Sequence, residues 1–171
     1  IGSKNLNGEI VSVNLNQGNY NMVPTAVVAM ANFAKTYDYY KNVLGRNSYD
    51  NKGAKIDVNV GVQKDVISFK KDNEHVNACW MGSQYEFYFG SSKGLTLAAG
   101  LDIVAHEFTH AVTQHVANLE YSGESGALNE AYSDIMGSLI EGKNFNIGED
   151  VLAMRNMANP NEYKDPAIKD G

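Results

Sequence analysis

Cysteine, proline and histidine are all scarce in this chain: one, three and four residues among 171. A single cysteine, Cys79, excludes an intrachain disulfide and reads as a small buried hydrophobe. It also excludes a four-cysteine zinc site. No apolar run approaches the roughly 20 residues needed to span a bilayer. Basic residues are the minority, 14 against 20 acidic ones, for a formal net charge of −6. That balance leaves no electrostatic footprint for nucleic acid, so neither nucleic acid nor membrane is expected as a partner. No internal repeat or low-complexity tract occurs. An apolar leader is missing from Ile1–Asn5, so either the protein is not exported or its leader has been removed, and a first residue other than Met favours removal.

What is present is ordinary globular composition, 43% hydrophobic and 20% charged, with length enough to bury a core. Glu9–Leu15 alternates polar and apolar, as a half-buried strand does. Pro24 opens a helical pattern with Val27, Met30, Ala31, Ala34, Tyr37, Tyr40 and Leu44 as its stripe. Ile56–Val60 alternates again, and Val66–Phe69 is a further candidate strand. Val76–Trp80 and Tyr85–Phe89 flank a turn and predict an antiparallel hairpin. From Leu101 the pattern is helical, with Val104, Ala105, Phe108, Ala111, Val112 and Val116 on one face. The spacing predicts a loop over Tyr121–Gly126, then a helix over about Ala127–Glu141 with Leu128, Ala131, Ile135 and Leu139 as its stripe. The last thirty residues read as loop. Strands followed by helices make an α+β arrangement.

Two of the four histidines fall in His106-Glu107-Phe108-Thr109-His110. At this composition, H-E-x-x-H arises by chance in about 1 chain in 200. Residues i and i+4 share one helix face, so two imidazoles can reach one tetrahedral cation. Glu107 lies about 100° further round and is well placed to hold a water beside the metal, the position of a general base. A third ligand is needed, and Glu130, early in the next helix, is the candidate. Asp134 lies one turn on, on the same face, and with Asn129 could take the free ring nitrogens of the histidines, fixing their tautomers. His115 sits about 140° off the ligand face and is set aside. His75 reads as a surface residue.

The metzincin pattern would need Gly and His where Thr113 and Val116 stand. The sequence instead resembles the thermolysin family of zinc endopeptidases. The resemblance rests on Val104–Thr113, Glu124–Asp134, Tyr37–Tyr40 and Asn77–Trp80, with twenty residues from His110 to Glu130. It implies a zincin-like lobe whose N-terminal antiparallel sheet region precedes an active-site helix and a glutamate-bearing helix. It implies His106, His110 and Glu130 as zinc ligands, Glu107 as catalytic base, and Asp134 and Asn129 as their outer partners. It matches Tyr121 to the oxyanion-stabilising tyrosine, and Asn77 and Ala78 to the edge strand that holds polypeptide substrates. Asp102, Glu141 and Glu149 match calcium ligands, although Asn144 and Asn146 stand where relatives often have acids, so at most one calcium is expected. Cys79 stands where the family usually has an aromatic.

The resemblance further implies a secreted, extracellular enzyme whose cleft lies between two lobes. Residues 1–171 are expected to form the N-terminal, zinc-binding lobe, with the C-terminal helical lobe of the same enzyme as partner. That lobe supplies a transition-state His and an Arg that orients a carboxylate. Neither is matched here: His75 lies in the β region, Arg46 follows the first helix, and Arg155 precedes the expected stretch. Alone, such a lobe should be weakly active or inactive. The alternatives are a non-catalytic metal- or peptide-binding module and a zinc aminopeptidase. The latter is weakened because no acidic motif that would anchor an N-terminal amine precedes His106.

Overall fold

A computed structural model describes residues 2–5, 8–15, 23–62, 77–92 and 94–163. The candidate strand Val66–Phe69, His75 and Val76 lie outside the described residues.

The chain opens with β1 (Gly2–Asn5) and β2 (Gly8–Leu15), an antiparallel pair. Helix α1 (Val23–Asn42) then carries the chain to β3 (Ile56–Val60). Because the connection contains a helix, β3 lies parallel to β2, with Val13 opposite Val58. Strands β4 (Ala78–Met81) and β5 (Glu86–Phe89) form the expected hairpin, and β5 runs parallel to β3. The sheet order is β1-β2-β3-β5-β4, so β4 is an edge. The α+β class is as the sequence predicts. The sheet is mixed, however, not antiparallel throughout. Alternating residues look the same in both pairings, and for β2 and β3 the α1 connection decides between them.

Two-residue strands β6 (Ser91–Ser92) and β7 (Leu95–Thr96) lead into α2 (Leu101–Val116). Gly100 caps α2 in extended conformation, and the Asp102 side chain accepts the Ile103 N–H at 2.8 Å, in the first turn where an acid suits the helix dipole. Helix α3 (Gly123–Glu141) follows. It begins four residues before the predicted start, because Gly126 N–H already bonds Ser122 O at 3.1 Å and closes a turn inside the expected loop. Gly142, left-handed at φ 72°, ends it. Strands β8 (Asn146–Ile147) and β9 (Arg155–Asn156) form a small closing hairpin.

The core lies between the sheet and helices α1 and α2. Phe33 of α1 meets Phe87 at a ring distance of 5.0 Å, and Tyr40 meets Phe108 of α2 at 5.0 Å. Phe108 is fully buried, and truncating it to alanine should cost about 3–5 kcal/mol. The Thr109 hydroxyl donates to Ala105 O at 2.7 Å, so Tyr40 Oη donates to Thr109 at 2.8 Å and ties α1 to α2. The buried stripe of α1 is Ala26, Ala29, Phe33, Tyr37 and Tyr40. Val27 and Leu44, predicted to be inward, are exposed. The face is rotated because Phe33, the largest apolar group available, takes the centre.

The larger correction concerns α3. Its predicted apolar stripe points outward: Leu128, Ile135 and Leu139 are exposed, as is Tyr132 beside them. The buried face carries Asn129, Ser133, Asp134, Met136, Gly137 and Ser138. Small groups let α3 approach α2 closely and antiparallel; a Cβ on Gly137 would lie 2.8 Å from Asp102 O. That close face brings polar side chains of α3 onto α2.

Candidate metal centre

The first half of α2 is buried on every side, from Asp102 to Thr109, whereas an amphipathic surface helix buries one stripe. His106 and His110 therefore sit between the sheet and α3, one turn apart. Their Nε2 atoms are 2.9 Å from each other. Glu130 of α3 brings Oε2 to 3.3 Å from His106 Nε2 and Oε1 to 3.4 Å from His110 Nε2.

The outer nitrogens fix what these atoms are. His106 Nδ1 is 2.7 Å from Asp134 Oδ1, and His110 Nδ1 is 2.8 Å from Asn129 Oδ1. Both partners are acceptors, so both Nδ1 atoms carry hydrogen and donate. In the neutral tautomers both Nε2 atoms then present lone pairs to each other and to a carboxylate. Such a cluster requires a cation. Four donors held at 2.0–2.1 Å around a tetrahedral zinc ion lie about 3.3–3.4 Å apart. The two Glu130 separations match that spacing, and the Nε2–Nε2 separation of 2.9 Å is shorter. In the metal-free chain a proton fills the need. Burial alone would lower the His106 pKa, but the Asp134 and Glu130 carboxylates outweigh it and raise it to about 9. Burial works against the charged Glu130 carboxylate, yet the adjacent His106 and His110 hold its pKa well below the usual range.

Arg155 completes the support. Its Nε donates to Asp134 Oδ2 at 2.7 Å and its Nη2 to Asp134 Oδ1 at 2.7 Å, a bidentate pair. It was set aside on sequence as lying too early; the β8–β9 hairpin folds it back onto α3. The one sequence signal for it was the scarcity of arginine, of which it is one of only two.

Glu107 is buried, and its Oε2 accepts the backbone N–H of Trp80 on β4 at 3.0 Å. That N–H therefore points away from β5, toward the open edge. By the alternation of an antiparallel ladder, Ala78 turns its own N–H and C=O to the same edge. A cleft of about 470 Å³ runs along it, lined by Asn77, Ala78, Cys79, Glu107, both metal-site histidines, Tyr121, Glu130 and Arg155 among others. Tyr121 is exposed, its ring centroid 5.9 Å from that of His110. The Cys79 thiol is pushed up to about 11 by burial and by the Glu107 charge, so it is not a ready nucleophile. His115 donates from Nδ1 to Ala111 O at 2.8 Å and lies against Tyr49 and Tyr85, apart from the other two histidines.

A second acidic set adjoins this region. Asp102, Glu141 and Glu149 have carboxylate oxygens within 4.8 Å of one another. Both Glu141 oxygens and Glu149 Oε2 are buried without a hydrogen-bond partner, although Lys143 Nζ comes within 3.2 Å of Glu141. Burial and then the neighbouring acids raise the pKa of Asp102 and of Glu141. Oxygen-only donors of like charge, unsatisfied, suit a hard cation such as calcium. Asn144 Nδ2 donates to Glu149 Oε1 at 2.6 Å, so one of the two asparagines adjoins this set without adding charge.

Helix-borne histidines, a carboxylate from the next helix and an open sheet edge describe a metallopeptidase. Residues 3–114 match the thermolysin metallopeptidase catalytic domain, and residues 117–170 match the alpha-helical domain of the same peptidases. The two matches meet at the end of α2. The chain belongs to the thermolysin metallopeptidase family. It is 39% identical over 167 residues to a bacillolysin of Bacillus amyloliquefaciens, which covers 95% of this chain and 30% of that one. It is 42% identical over 141 residues to an extracellular elastase of Staphylococcus epidermidis, covering 78% and 27% respectively. The precursor of protealysin, a metalloproteinase from Serratia proteamaculans, superposes with a TM-score of 0.69 at 27% identity, covering 86% of this chain and 52% of that one. The chain thus spans about 30% of the length of the first of these relatives. No helix among the described residues is long and apolar enough to cross a membrane.

Proposed function

We propose that this chain is the metal-binding part of an exported zinc endopeptidase, with His106, His110 and Glu130 as zinc ligands. The observation that carries the reading is the convergence of three lone-pair donors, 2.9–3.4 Å apart, beside a buried glutamate. When bound, the ion supplies Lewis acidity, polarising a scissile carbonyl and acidifying a water molecule. Glu107 takes the proton from that water and returns it to the leaving amine. Its carboxylate is kept aimed by the Trp80 N–H. Asp134 and Asn129 hold the histidines in the tautomer that leaves Nε2 free, and Arg155 neutralises Asp134. The substrate lies extended along β4, pairing with Ala78, beside Asn77. Tyr121 donates to the oxyanion that develops at the substrate carbonyl. Asp102, Glu141 and Glu149 hold one calcium.

The complete enzyme contains further helices. The exposed stripe of α3 and the coverage of about 30% of the relative's length support that reading. Secretion is supported by the extracellular elastase among the relatives.

The test is a casein hydrolysis assay of the full-length product with and without a zinc chelator, and with Glu107→Gln. Chelation should abolish hydrolysis and added zinc restore it. Glu107→Gln should lower kcat by about 10²- to 10⁴-fold while keeping one zinc per chain. Activity retained in that variant would refute the base assignment.

A further inference from the structure

Trp80 is bound to α2 at two points. Its backbone N–H donates to Glu107 Oε2 at 3.0 Å, and its indole Nε1 donates to Gln114 Oε1 at 2.6 Å. Gln114 is seven residues after Glu107, two turns along the same face of α2. Among the described residues these are the two hydrogen bonds that tie the edge strand β4 to α2, and both are made by one residue. A strand at a sheet edge has no neighbour on its far side, so contacts of this kind set its distance from the metal site.

The turn of the β4–β5 hairpin accommodates the contact. Gly82 has an ordinary backbone conformation, so its lack of a side chain serves space. A Cβ there would collide with the Gln114 amide, whose carbon and nitrogen would both lie 2.9 Å away. The glycine lets that amide lie across the turn and reach the indole. On its other sides the indole is packed against Phe87 at 4.6 Å and Tyr49 at 5.1 Å. Without Gln114 the indole N–H would lose its acceptor, and the ring would have to turn to find another.

We propose that Gln114 is a positioning residue for Glu107, acting through Trp80. By anchoring the indole, it fixes the backbone N–H that aims the carboxylate. This rests on Glu107 being the general base. Gln114 is at the rim of the cleft and is not among the metal-site side chains, and its role in this scheme runs through Trp80. Its effect is on the direction of a proton acceptor, where small misplacements are costly.

The test compares Gln114→Leu, Gln114→Glu and Gly82→Ala in the full-length protease. Leu removes the acceptor, Glu restores one at the same reach, and Ala at position 82 evicts the amide while altering neither partner. Gln114→Leu and Gly82→Ala should each lower kcat about 3- to 10-fold, with KM changed by less than about twofold. Gln114→Glu should recover kcat. Trp80 emission, taken as the difference from Trp80→Phe, should shift in the first two variants and return in the third. Zinc content should stay at one per chain throughout. An unchanged kcat in Gln114→Leu and Gly82→Ala, an equal loss in Gln114→Glu, or a loss confined to KM would overturn the proposal. Glu107→Gln runs alongside: full activity there removes the base reading itself, whereas an inactive Glu107→Gln with a fully active Gln114→Leu removes only the role of Gln114. Should Gln114→Leu fail to fold, Gly82→Ala decides alone.

Discussion

Arg155 lies flat against Asp134, its Nε and Nη2 each 2.7 Å from a carboxylate oxygen, while the same Asp134 accepts from His106 Nδ1 at 2.7 Å. A guanidinium two steps from the candidate metal site thus holds the imidazole in the tautomer that leaves Nε2 free. Arg155→Met should weaken zinc affinity about 10- to 100-fold without removing a ligand. Competition against a fluorescent chelator measures it; an unchanged affinity would show that Asp134 holds its place unaided.

The metal-free chain should be sensitive to alkali. The His106 pKa is raised to about 9 because the Asp134 and Glu130 carboxylates more than offset burial. A raised folded-state pKa gives stability that is full below the unfolded value, about 6.5, and is lost as pH rises through 9. The melting temperature of the zinc-free chain should therefore decline between those limits. Zinc bound as proposed would occupy the same lone pairs, so the zinc-loaded chain should not show the decline. Parallel calorimetric scans would contradict this by giving the same profile with and without zinc.

Calcium should stabilise the chain through Asp102, Glu141 and Glu149. At a hundred times its dissociation constant, a ligand specific for the folded state adds about 2.7 kcal/mol. Glu141→Gln should erase the rise in melting temperature that calcium produces. A rise of equal size in that variant would point to another site.

The outward stripe of α3 should behave differently alone and in the complete enzyme. Leu128, Tyr132, Ile135 and Leu139 are exposed here, and such patches bind hydrophobic dyes and drive association. In the 171-residue chain, replacing Leu128 and Leu139 by serine should reduce dye binding and change stability by no more than about 0.5 kcal/mol. In the complete enzyme the same pair should cost several kcal/mol, because it would be buried against further helices. Equal effects in both settings would argue that nothing covers the stripe.

The candidate metal site was legible because its logic is local. His106 and His110 are one helical turn apart whatever surrounds them, and the short link to α3 brings Glu130, Asp134 and Asn129 back along the same helix. The acidic set was legible only through resemblance, since Asp102 and Glu149 are 47 positions apart in linear order. Arg155 was missed because the β8–β9 hairpin, which carries no strong pattern, is what folds it back. The orientation of α3 was misread for a deeper reason. Periodicity reports which face is apolar and says nothing of whether the partner for that face belongs to the same segment of chain. The Gln114 contact depends on a missing side chain at Gly82, which no pattern of apolar residues marks.

The edge position of β4 has one more consequence. Open strand edges invite other strands, and proteins normally blunt them. Here the edge is four residues long, and its Trp80 donor is already committed to Glu107. An incoming strand finds a complete donor–acceptor pair only at Ala78. Under the proposed function that would be grip enough to seat a peptide, and it is too little to zip a second sheet onto the first. The bond between Trp80 and Glu107 thus also keeps this edge from becoming a template for aggregation.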